Sequence, residues 1–196
     1  MPKESIKERE RRRREEEIIA EAGQLIRQQG LTALNMDTLA EMVGVSKPTL
    51  YQHFKSKEDL IARILIGGIE ELEQYLLTTT DHAPMERLTN TLRMLLHNRY
   101  SPDGLMAGVG SEMIFSTLHS HEDVVVHKNR VRALIDNVVE EGKTRGDIES
   151  SLPTAMVSCM IFNLMRLPAA AEMYNDLPTV INHVVHIFTR AVQRTI

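Results

Sequence analysis

The chain holds one cysteine, Cys159, in 196 residues, so no disulfide can close within it. A lone thiol of this kind suits a reducing compartment. Tryptophan is absent, and four tyrosines and four phenylalanines leave a core of aliphatic and methionine side chains. No run of about 18 apolar residues occurs, as a membrane span would need, and no short apolar segment with the flanks of an export signal is present. A soluble, cytoplasmic protein with no membrane partner is expected. The sequence has neither a glycine-rich phosphate loop nor a nucleophile elbow, and Cys159 sits in an apolar stretch as a small packing residue. An enzyme is therefore not expected, nor a cofactor.

Excess positive charge is missing too, because the formal net charge is −4. That total speaks against a protein that coats nucleic acid without choice. Its distribution matters more than its sum. Residues 1–60 carry eleven bases and eleven acids, and the remainder carries twelve bases against sixteen acids. The amino-terminal bases gather at Lys7 to Arg14 and at Lys47, Lys55 and Lys57, enough for a local basic face on a neutral domain.

Apolar residues recur at spacings of three and four along nearly the whole chain, which predicts an all-α fold of about nine helices. Ile18, Ala22, Leu25 and Ile26 mark a first helix ending at Gly30. Ser56 opens a long helix carrying Ile61, Leu65, Ile69, Leu72 and Leu76, running to about Thr79. Further helices are expected from Pro84, over Gly104–Leu118, over Glu122–Lys143, from Pro153, and over Leu177–Gln193. Gly67 and Gly68 interrupt the long helix, so either close packing or a bend should offset their helix-breaking tendency.

Between the first and the long helix lies the most informative stretch, Met36 to Phe54, which reads as two short helices around a tight turn. Met36, Leu39, Ala40 and Val43 form the stripe of one helix, and Gly44 can end it in the left-handed conformation. Ser46 can cap the next helix, with Pro48 in its first turn. This is the spacing of a helix-turn-helix unit, whose second helix enters the major groove of DNA.

From about Arg12 to Leu72, and above all in LAEMVGVSKPTLYQHFKSKEDL from Leu39 to Leu60, the sequence resembles the DNA-binding domain of the tetracycline-repressor (TetR) family of bacterial transcription regulators. The resemblance implies an N-terminal three-helix DNA-binding domain over 12–72, with its motif at 35–54, and a C-terminal helical ligand-binding and dimerisation domain over 73–196. It implies that Thr38 touches a phosphate, that Ser46, Lys47, Pro48, Thr49 and Gln52 face the major groove, and that Tyr51, His53 and Lys57 contact phosphates. The chemistry is suitable: lysine can donate to guanine, glutamine can pair with adenine, and a proline ring or threonine methyl can meet a thymine methyl. Pro48 departs from the smaller residue often found at its position. Arg11–Arg14 is open to two readings, since Glu15, Glu16 and Glu17 can pair with it along a solvated helix or the run can reach a flanking groove as an arm.

The expected partners are a palindromic double-stranded DNA operator, a small-molecule effector, and a second copy of the chain docked through the last two helices. Val180, Ile181, Val184, Val185, Ile187, Phe188, Ala191 and Val192 cover more than one face of the final helix. For the effector, Met94, Met106, Met113, Phe115, Met156, Met160, Phe162 and Met165 can line an adaptable apolar cavity, with Glu112 and Arg166 as polar anchors. The alternative is a metal-responsive regulator using His119, His121 and His127 near Glu122 and Asp123, or His183 and His186. Without cysteine partners, packed or solvated histidines are the plainer reading, and no metal site is assigned.

Overall fold

A computed structural model describes residues 5–102, 104, 116, 117, 119–165 and 176–194. The described residues contain eight α-helices: α1 (Ile6–Gln29), α2 (Met36–Val43), α3 (Lys47–His53), α4 (Lys57–Thr78), α5 (Pro84–Tyr100), α6 (Glu122–Arg145), α7 (Thr154–Leu164) and α8 (Leu177–Val192). A 3-10 turn, Leu31–Ala33, follows α1. Among these residues the one extended pairing is an isolated bridge between Ile148 and Gln193, so the fold is all-α. The helix expected over Gly104–Leu118 falls almost wholly outside the described residues.

Each boundary near the motif has a local cause. Ser56 accepts a hydrogen bond from the Asp59 N–H at 3.1 Å, and Glu58 and Asp59 place negative charge in the first turn of α4. At its far end α1 differs from the expected start near Ile18, beginning twelve residues earlier at Ile6. Ser5 and Glu8 form a reciprocal capping box, with bonds of 2.8 and 3.2 Å. Arg11, Arg12, Arg13 and Arg14 then pair with Glu15, Glu16 or Glu17 within the helix. Of the two readings of this run, the described conformation is the solvated helix.

Two hydrophobic clusters meet along α4. The first joins Ile18, Ala22 and Ile26 of α1 to Leu39, Ala40, Leu50, Phe54, Leu60, Ile61 and Leu65. The second takes over at Ala62 and Ile66 and includes Leu72, Leu76, Leu88, Leu92, Val131, Ile135, Ile161 and Phe188. Since α4 rises about 33 Å over its 22 residues, it reaches from one cluster through the other. Arg87 of α5 closes the second cluster: it donates to the Leu76 carbonyl at 2.9 Å and to Glu141 of α6 at 3.0 Å.

Candidate nucleic-acid interface

Asn35 caps α2 by accepting from the Asp37 N–H at 2.8 Å. At the other end Gly44 takes φ 71°, ψ 34°, and the Val45 N–H turns back to the Ala40 carbonyl at 2.9 Å. Ser46 then starts α3, accepting from the Thr49 N–H at 3.2 Å. Leu50 and Phe54 are fully buried against α1 and α2. With those positions inward, the helical repeat turns the rest of α3 outward. Ser46, Lys47, Pro48, Tyr51 and Gln52 are exposed and Thr49 is half-buried, with Thr38 exposed on neighbouring α2. The structure thus brings these sequence-predicted residues to one surface.

Three of the side chains expected to touch DNA already have partners. Lys47 Nζ donates to Asp37 Oδ2 at 2.6 Å, and this bond holds the Lys47 ammonium above its ordinary pKa. Lys57 Nζ donates to the Leu31 carbonyl at 2.9 Å, tying the start of α4 to the turn after α1. His53 Nδ1 lies 3.2 Å from Glu15 Oε1 of α1, and the same oxygen accepts from Arg11 Nε at 2.9 Å. The His53 side chain is only 13% exposed, so it clamps α3 to α1. Burial pushes the Glu15 carboxyl up, but the hydrogen bonds from His53 and Arg11 and their charges outweigh it and leave the group below its usual value. Asp37, Glu15 and the Leu31 carbonyl were not readable as site partners, since they lie 10, 38 and 26 residues from the side chains they hold.

The residues expected to line an effector cavity part ways. Phe162 and Met165 line an enclosed apolar cavity of about 50 Å³ with Gly68, Leu72, Leu95 and Lys128. Met94 lines a separate open cleft of about 410 Å³, beside Glu71, Arg93, His97 and Asn182. Met160 packs at the edge of the body core. Met156 does not line a cavity: it is 61% exposed, because α7 turns Val157, Ser158 and Ile161 inward instead. Met106, Glu112, Met113, Phe115 and Arg166 lie outside the described residues. The expected second apolar face of α8 is narrower than its composition suggests. Val180, Ile181, Val184, Val185, Phe188 and Val192 are buried within the chain, leaving Ile187 and Ala191 exposed.

The histidines that the metal-responsive alternative would use do not converge among the described residues. His121 faces Asp59 and His127 faces Glu73, each at 3.9 Å and on different turns of α4. Among the described residues no group of three His, Cys, Asp or Glu side chains could hold an ion.

A short helix standing out from a three-helix core, carried by a long helix into a helical body, is a helix-turn-helix arrangement. Residues 18–64 match the bacterial regulatory proteins of the tetR family. The transcriptional activator FasR of Mycolicibacterium smegmatis is 39% identical over 70 residues, covering 34% of this chain and 32% of that protein. The transcriptional repressor BdcR of Escherichia coli is 31% identical over 116 residues, covering 58% and 57%. The chain therefore spans about a third and just over half of the length of these two relatives. A solved structure of the ketosteroid transcriptional regulator KstR2 of Mycobacterium tuberculosis shares the fold, with a TM-score of 0.62 and 18% identity over 93% of this chain and 96% of that one. That likeness to the tetR family is carried by residues 18–64, about a quarter of the chain. No described helix is long and apolar enough to cross a membrane.

Proposed function

We propose that the protein is a ligand-responsive transcriptional repressor that binds a palindromic double-stranded DNA operator as a homodimer and leaves it when a small, largely apolar effector occupies the body. The observation that carries this reading is the outward face of α3. Six consecutive positions from Ser46 to Tyr51 include one buried residue, Leu50, and the exposed ones can donate, accept or pack on base edges. Release by an effector is the less direct part. The enclosed cavity of about 50 Å³ is far below the roughly 300–1,000 Å³ of an ordinary small-molecule site. An effector entering there has to part α4 from α6 and α7, and α4 is the helix that carries α3. Binding and DNA release are then coupled through one element.

Met156 and Ile187, each 61% exposed on α7 and α8, support a dimer face on the last two helices. A two-fold dimer presents its recognition helices to half-sites about 34 Å apart. FasR is an activator and BdcR a repressor, so the likeness of these two to this chain does not carry the sign of regulation.

The test is selection of random duplexes by the full chain, with sedimentation to count protomers. A palindrome bound by two protomers is expected. Lys47→Ala and Gln52→Ala should each change the preferred bases, whereas Lys57→Ala should weaken all duplexes alike. Equal losses on matched and mismatched duplexes for all three variants would remove the base-reading role from α3.

A further inference from the structure

The first three turns of α1 join no hydrophobic core. No buried residue precedes Ile18, and Ile6 itself is 75% exposed. Yet these twelve residues, about 18 Å of helix, are stabilised on their own account by the capping box and the Arg–Glu pairs. A helix so well capped without a core to join is a rigid projection, and what it projects past is the recognition helix. Lys7, Arg11 and Arg14 form one wall of a cleft of about 490 Å³ whose other wall includes Thr49, Gln52 and His53. One acid, Glu10, stands among the three cations.

If α3 occupies the major groove, a reading on which this inference rests, the strand bordering that groove has to run beside Thr49 and Gln52, facing the cationic wall. Arg11 and Arg14 stay 63% and 42% exposed although they pair with Glu15 and Glu17. Exposed pairs of this kind hold weakly, and a guanidinium has five N–H donors to share. We infer that the amino-terminal turns of α1 are a second DNA-contacting element, a rigid rail on which Lys7, Arg11 and Arg14 bind phosphates of the strand flanking each half-site. Phosphate contacts fix position and carry no base information. The rail therefore lengthens the footprint and strengthens binding without changing the preferred sequence.

The experiment uses the full chain and the palindrome obtained by selection, in two lengths: ending at the half-sites, and extended by about one helical turn on each side. Affinities are measured across a salt series for the wild type, for Lys7→Ala/Arg11→Ala/Arg14→Ala, and for Lys7→Ala/Arg14→Ala, which leaves the Arg11–Glu15–His53 contacts in place. The wild type should bind the longer duplex at least tenfold more tightly. The triple variant should lose that gain and the double variant most of it, each flattening the salt dependence by about 0.9 in log–log slope for each phosphate contact removed. Glu10→Gln should act the other way, with a gain of a few-fold on the longer duplex alone. Alanine preserves the helix, which circular dichroism verifies. An unchanged length effect and salt slope in the double variant overturns the inference while palindromic binding stands. If no duplex is preferred and Lys47→Ala and Gln52→Ala change nothing, the reading of α3 has failed instead.

Discussion

Glu15, outside the motif, and Asp37, within it, show how single carboxylates shape the surface around α3. Glu15 accepts from both His53 and Arg11, and its carboxyl lies below the ordinary 4.5 because those bonds outweigh burial. A carboxylate with a lowered folded pKa contributes stability that is complete above the unfolded value and is lost as pH falls through the folded one. Glu15→Gln should therefore cost about 1–2 kcal/mol at pH 7, with the difference from wild type shrinking toward pH 3 in urea unfolding. On the proposed function, Asp37 acts on binding rather than folding. It holds Lys47 at 2.6 Å in the free protein, and a phosphate or guanine has to compete for that ammonium. Asp37→Asn should raise affinity for random DNA by about twofold to fivefold and lower the ratio of operator to random binding, as an exposed pair is weak. Competition assays at two salt concentrations read both effects.

The turn between α2 and α3 was legible because its chemistry is local. Gly44 sits in the left-handed region at φ 71°, and a Cβ there would meet nothing within 4 Å. Gly44→Ala should cost about 1–2 kcal/mol through backbone strain alone, measured by denaturant unfolding, and should weaken every DNA sequence alike. The caps at Ser46 and Ser56 and the ends of α4, α5 and α6 were readable for the same reason. The start of α1 was not. Apolar periodicity begins at Ile18, and what extends the helix to Ile6 is a capping box and charge pairs, neither of which leaves an apolar stripe. In α8 the composition suggested one apolar face for the body and another for a partner, and packing inside the chain takes six of the eight named side chains, leaving Ile187 and Ala191 exposed.

The paired glycines of α4 join the local and the global. Gly67 has no atom within 4 Å of where a Cβ would stand, whereas Gly68 is buried and lines the enclosed cavity. The two should separate in experiment. Gly67→Ala should stabilise the fold by about 0.4–1 kcal/mol through the unfolded state and leave effector release intact. Gly68→Ala should gain helix propensity as well but fill space an effector needs, so thermal unfolding and effector-driven DNA release should move in opposite directions. Parallel responses of the two variants would argue against the cavity as the effector site.

Helix content, the motif and the exposed face of α3 follow from short-range pattern, because caps, turn glycines and apolar spacing act within a few residues of chain. The partners of Lys47, Lys57 and His53, the projection of α1 beside α3, and the small cavity around Gly68 come from contacts between segments far apart in sequence. No local signal encodes them, since a carboxylate 38 residues away acquires meaning only when two helices pack.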